Sequence, residues 1–167
     1  QVSVADGTVA FGSAYHNWGI TVPYMAKSKI SFTEIFEYCN NEDQKTLAQK
    51  APVHEVLLDM AVTKLPGPVE AQPYRIPNIW TGDLDSTIGK AMISCDPEAE
   101  LAMMITKIWM DPHAGEVAVG RIYSGAIAQG ESVYAIGAAK PERVQQVSMM
   151  VGGDRITVPK VVAGNIA

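Results

Sequence analysis

The stretch FGSAYHNWGI, residues 11–20, sets a hydroxyl at Ser13 and an imidazole at His16 among small and aromatic residues. Such a pair does nucleophilic chemistry when the imidazole takes the hydroxyl proton and an acid orients the ring. Gly12-Ser13-Ala14 is not the G-x-S-x-G elbow of the hydrolases, and no orienting acid is identifiable. Ser13 is therefore expected as a hydrogen-bonding turn residue rather than a nucleophile. His54 and Glu55 lack the second histidine four residues on that a zinc protease needs. Asp83 and Asp85 pair carboxylates, but the glycine and distal glutamate of a calcium loop are not at the required offsets, so an acidic turn is expected. His113 lies in DPHAG, a sequence built to turn, and reads as structural or solvent-exposed. Trp80, Trp109, Tyr123 and Tyr134 have no basic residues interleaved with them, so packing is a better expectation than base stacking. Methionines 103, 104, 149 and 150 are expected to fill a core. No metal-ligating set and no complete catalytic set emerges.

The elements that position these residues change character along the chain. QVSVADGTVAF alternates valines around Asp6-Gly7, which predicts a tight hairpin. Ser31-Phe32-Thr33-Glu34 has the form of a capping box, and Phe32, Ile35, Phe36 and Cys39 follow at helical spacing. The polar run NNEDQK is expected to interrupt that helix before Leu47. Pro52 suits a helix start, and Val53, Val56, Leu57, Met60 and Ala61 predict one apolar face. Prolines 66, 68, 73 and 77 predict an extended stretch, and so a domain boundary. Beyond it the period becomes that of strands: LAMMITKIWM, VAVGRIYSGAI, ESVYAI, RVQQVSMMV and RITV, separated by glycine or proline turns. Within GEVAVGRIYSGAIAQG, Gly120 predicts a bulge or a close backbone approach, and Gly125 and Gly130 predict turns. Arg121 is placed to hold a strand or a neighbouring domain through charge-assisted hydrogen bonds. The chain reads as helices with a short hairpin followed by an antiparallel meander or barrel, an α+β arrangement.

Composition narrows the partners. With 13 basic and 18 acidic residues the net charge is −5, and neither half has the basic excess of a nucleic-acid-binding domain. No apolar run approaches the roughly 18 residues of a membrane span, and no secretory signal is visible. Cys39 and Cys95 lie far apart and read as reduced thiols, so a cytoplasmic protein is expected. The chain starts at Gln1 rather than methionine, which points to a processed chain or an internal piece.

Several stretches, in order along the chain, resemble the translational GTPases. FGSAYHNWGI looks like the strand and Ser-Ala turn that end their GTP-binding domain, and APVHEVLLDMAVTKLPGP resembles the helix and proline-rich exit. Gly-Arg-Ile-x-x-Gly, residues 120–125, followed by a second glycine, resembles their second, β-barrel domain. The wording of YHNWGI, RIPNIW, CDP and DPHAGEVAVGR most resembles the archaeal elongation factor two family of ribosomal translocases. The resemblance implies three parts: residues 1–68, the end of a GTP-binding domain; 69–100, an extended linker leading into the barrel; and 101–167, a barrel incomplete at its C-terminus. It implies a guanine-facing turn at Ser13 and Ala14, with the Ala14 amide toward the base, and a domain or ribosome interface at Arg121. GTP and magnesium are the cofactors it implies for the whole protein, and the ribosome, through the small subunit, is the partner. The phosphate-loop motif G-x-x-x-x-G-K-[ST] and the D-x-x-G and N-K-x-D patterns are missing from this chain, so no GTPase activity and no tight nucleotide binding are expected of it alone. An open barrel edge implies self-association or disorder near residue 167. The rival reading is a standalone β-barrel module that binds protein or RNA.

Overall fold

A computed structural model describes residues 2–112 and 115–167, and the histidine of the DPHAG turn lies outside the described residues. The chain divides into two compact units, Gln1–Leu65 and Pro66–Ala167.

In the first unit, β1 (Phe11–Ser13) pairs antiparallel with β2 (Trp18–Ile20), with Phe11 opposite Ile20 and Ser13 opposite Trp18. This is not the hairpin expected around Asp6-Gly7. That turn does form, since the Gly7 amide donates to the Val4 carbonyl. Its arms do not pair as strands, because the Thr8 hydroxyl accepts from the Ser3 amide and donates to the Ser3 carbonyl in place of a ladder. Val2 and Val4 have nothing to bury against and remain exposed. The pairing moves to β1 and β2, where Gly12 lets the backbones close: a Cβ there would sit 2.4 Å from the Trp18 carbonyl oxygen.

Four helices follow. Thr21 caps α1 (Val22–Ser28), and Ser31 with Glu34 forms the expected capping box on α2 (Phe32–Asn40). The polar run ends α2 at Asn40, and Asp43 caps α3 (Gln44–Lys50). Helix α4 (Val53–Lys64) starts after Pro52. Ile20, Tyr24, Met25, Ile30, Ile35, Leu47, Ala51 and Val56 form one core, with Trp18, Tyr38, Cys39 and Met60 packed around it. The apolar faces are only partly used, because Phe32, Phe36 and Leu57 are exposed.

In the second unit the extended linker is overturned. Pro68–Ile79 is a helix, α5, and Thr87–Ser94 is another, α6. Prolines 73 and 77 lie inside α5, four residues apart on its exposed side, whereas Ala71, Gln72 and Ile76 are buried. A proline inside a helix costs about 3 kcal/mol of propensity. On the solvent side water takes over the carbonyls left without donors, and burial of the opposite face holds the helix.

The strands are β3 (Ala102–Asp111), β4 (Gly115–Ser124), β5 (Ala126–Ala128), β6 (Ser132–Val133), β7 (Glu142–Arg143), β8 (Ser148–Val151), β9 (Asp154–Thr157) and β10 (Lys160–Val162). They pair antiparallel as β3–β4, β5–β10, β6–β7 and β8–β9, and no closed barrel forms among the described residues. Gly120 meets its expectation twice. A Cβ there would stand 2.3 Å from the Met104 carbonyl oxygen, and the register shifts between Ile105 and Lys107 opposite. The last residues are not frayed: Ala167 and Gly120 exchange amide–carbonyl hydrogen bonds of 3.0 and 2.9 Å, and the Ile122 amide donates to the Asn165 carbonyl. Disorder near residue 167 is therefore not what the structure has. Ile122, Val147 and Val161 form the buried centre, with Met103 and Met149 packed against it. Met104 and Met150, expected to fill the core beside them, are about half exposed, because neighbours along a strand face opposite ways.

Candidate functional site

Residues 13–18 form the closed end of the β1–β2 hairpin. Ser13 is half-buried, and its hydroxyl accepts from the backbone amide of His16 at 3.3 Å, which is the turn role and not the nucleophile role. The Ala14 carbonyl accepts from the Asn17 amide at 3.3 Å. Asn17 adopts a left-handed φ of 59°, which asparagine tolerates better than most residues. Its carbonyl accepts from the Val53 amide at 3.1 Å and fastens the turn to the start of α4. Trp18 closes the other side, its indole N–H donating to the Gln44 side-chain oxygen at 2.9 Å. The result is a pinned turn whose outer surface is free. Ala14 and Tyr15 are exposed, and among the described residues their backbone amides donate to no acceptor in the chain. Two unspent amides beside a single methyl group let a flat polar ligand approach the backbone closely. Tyr15 and His16 stack edge to face beside them at 4.8 Å.

The other candidates separate. Ser13 and Ala14 are in the first unit, and Arg121 is on β4 of the second. The guanidinium lies 5.8 Å from the Tyr123 ring, and its Nε is buried without a hydrogen-bond partner. Burial pushes the nearby Cys95 thiol above its ordinary pKa, an effect the Arg121 charge opposes. Glu55 accepts from the Tyr24 hydroxyl at 3.1 Å; burial first, and then this carboxylate, raise the tyrosine's pKa. Asp83 behaves as the expected turn residue, accepting from the Asp85 amide at 3.0 Å ahead of α6. Among the described residues no cluster of three His, Cys, Asp or Glu side chains could hold a metal ion, and no helix is long and apolar enough to cross a membrane.

Sequence reasoning missed Asn17, the pivot of the turn, and Gln72. The Gln72 side-chain amide donates to the Met92 carbonyl and, at 2.9 Å, to the Tyr123 carbonyl, tying α5 to α6 and β4. Asn17 carried a signal, a left-handed-tolerant residue directly before a strand. Gln72 carried none once its segment was read as extended.

Residues 100–167 match the family model for elongation factor G domain 2. Over 165 residues, 99% of its length, the chain is 58% identical to elongation factor 2 of Methanococcus aeolicus. It is 59% identical over 166 residues to elongation factor 2 of Picrophilus torridus, and 57% identical over all 167 to that of Thermoplasma acidophilum. Its homologues are archaeal elongation factor 2. The chain spans 22–23% of the length of these relatives, less than a quarter. The elongation factor 2 relationship runs through both units, so the hairpin turn and the β-strand region belong to one continuous similarity.

Proposed function

We propose that this chain is a segment of an archaeal ribosomal translocase, which couples GTP binding and hydrolysis to movement of transfer RNA and messenger RNA. The observation that carries the reading is the identity above 55% to elongation factor 2 along 99–100% of the chain. Residues 1–68 are then the end of the GTP-binding domain, and 101–167 most of the second-domain barrel, which closes with further chain. In the first unit the Ser13-Ala14 turn is the guanine-facing wall. The exposed Ala14 amide suits the base carbonyl, and Ser13 holds the turn through the His16 amide.

Bound GTP and magnesium supply the phosphoryl-transfer chemistry in the whole protein. The turn has no carboxylate to hold the metal, and its two free amides fall short of the run of amides and the lysine with which a phosphate loop cradles phosphates. The residues fit the guanine edge alone, which is why this segment is not expected to bind GTP tightly. Arg121 is assigned to the side of the second domain that meets the rest of the protein or the small ribosomal subunit, and the setting is cytoplasmic.

The test compares the protein expressed from the uninterrupted reading frame with the 167-residue chain. The expected outcome is ribosome-stimulated GTP turnover by the former and no tight GTP binding by the latter. Strong guanine-specific binding by the 167-residue chain, or no GTP turnover by the complete protein on ribosomes, would overturn the proposal.

A further inference from the structure

Residues 14–17 span the gap between the paired Ser13 and Trp18, and Asn17 is the last of them. Its amide closes the turn onto the Ala14 carbonyl, and its φ of 59° brings the chain round into β2. A turn followed by a residue in the left-handed region is a common hairpin closure. In that region glycine is at ease, asparagine is tolerated and a β-branched residue is a genuine outlier. The Asn17 side chain is exposed, so its contribution lies in the backbone conformation that asparagine permits.

The carbonyl of Asn17 does separate work. Helix α4 begins after Pro52, which has no side-chain oxygen to cap the amides of the first turn. The Asn17 carbonyl supplies an acceptor instead, taking the Val53 amide at 3.1 Å. Two residues on, the Gly19 amide donates to the Ala51 carbonyl at 3.0 Å, and Trp18 bridges Pro52. Residues 51–53 therefore hold the hairpin from Gly19 back to the last residue of the turn. Ala14, Tyr15 and His16, beyond that support, are exposed. The direction of the free Ala14 and Tyr15 amides is set by the residue at which the support stops.

We infer that Asn17 is a positioning residue for guanine: its left-handed backbone, locked to the start of α4, aims the Ala14 amide at the base carbonyl. This rests on the reading of Ser13-Ala14 as the guanine-facing wall. A hydrogen bond weakens steeply as it departs from linearity, so a small rotation of the turn costs affinity without unfolding anything. A substitution at Asn17 costs affinity according to how poorly it tolerates the left-handed backbone. It does so only for a base that carries the carbonyl.

The test uses the complete protein with Asn17→Val, the milder Asn17→Ala and Asn17→Gly, folding being checked by thermal melting. Affinity is measured for GTP and for aminopurine riboside triphosphate, the GTP analogue whose base has hydrogen in place of the carbonyl oxygen. Asn17→Val is expected to weaken GTP binding at least about fivefold, the lower end of losing one hydrogen bond, with Asn17→Ala between it and wild type. Analogue binding should change less than about twofold, since there is no carbonyl for the amide to miss, and Asn17→Gly should match wild type for both nucleotides. Equal weakening of both nucleotides, or Asn17→Gly as weak as Asn17→Val, makes the residue merely structural and overturns the inference. So does wild-type GTP affinity in a folded Asn17→Val protein. Should Asn17→Val fail to fold, the same comparison is read from Asn17→Ala against Asn17→Gly. A wild-type protein that binds the analogue as tightly as GTP defeats the guanine reading of the turn and this inference with it. Every other failure leaves that reading standing.

Discussion

In the first unit every helix sends a side chain into one core: Tyr24 and Met25 from α1, Ile35 from α2, Leu47 from α3 and Val56 from α4. The second unit distributes its strands over two-stranded ladders, and β3 buries none of its side chains fully, whereas β4 alternates and buries Ile122 and Ser124. Polar fasteners supplement the second unit's apolar clusters. Gln72 holds two backbone carbonyls, the Ser124 hydroxyl donates to the Glu100 carbonyl at 2.8 Å, and the Gly125 amide donates to the Asp96 carbonyl at 2.7 Å. Packing dominates the joints of the first unit, whereas the second adds to its smaller apolar clusters several hydrogen bonds between elements. Damage to the two should therefore differ in kind: a cavity in the first, orphaned polar groups in the second.

The largest expected effect is in the first unit. Leu47 is fully buried, so Leu47→Ala should cost about 2–5 kcal/mol, read from the midpoint of denaturant unfolding. In the second unit Gln72→Leu keeps the bulk and leaves the Met92 and Tyr123 carbonyls without their donor; removal of the buried, unpaired Gln72 Oε1 offsets part of this, for a net loss of about 1 kcal/mol. Gln72→Leu at least as stable as wild type would show that packing, not the polar tie, holds α5 to β4, and the comparison would fail.

A smaller effect tests helix capping. The Glu34 carboxylate accepts from the Ser31 amide and hydroxyl, and the amide bond is the main reason its pKa lies below the ordinary 4.5. A depressed carboxylate stabilises the folded state above its unfolded pKa, and that contribution is lost as pH falls through the lower folded value. Titration of Glu34 by NMR should show a midpoint below 4.5, and in Ser31→Ala the midpoint should move part-way back up as the hydroxyl contribution is removed. An unchanged midpoint would remove the hydroxyl from the account.

The contrast between the units also explains what the sequence made legible. Helix starts were readable because caps are local: Ser31 and Glu34 are three residues apart and need no tertiary context. The interrupting polar run and the β3–β4 pair were readable for the same reason, from Asp43 at a cap and from Gly120 under a neighbouring backbone. The first hairpin was misplaced because Asp6-Gly7 is a real turn, whereas strand pairing also needs a surface to bury against. Helix α5 was hidden because prolines 73 and 77 argue against it locally, and only the tertiary burial of Ala71, Gln72 and Ile76 argues for it. In the candidate site, Ser13 and Ala14 were visible through the resemblance. The Asn17 pivot and its tie to Val53 link residues far apart in sequence, and no periodicity reports such a link.

The central claim is that Ala14 contributes a backbone amide, and Ser13 only turn geometry, to a guanine site completed by the rest of the protein. It is tested most directly by titrating GTP against the complete protein carrying Ala14→Pro, which deletes that amide, with Ser13→Ala alongside and folding checked by thermal melting. Loss of a hydrogen bond worth about 1–3 kcal/mol corresponds to roughly 5- to 150-fold weaker GTP binding for Ala14→Pro, with a smaller change for Ser13→Ala. A folded Ala14→Pro protein that binds GTP as tightly as wild type would contradict the account.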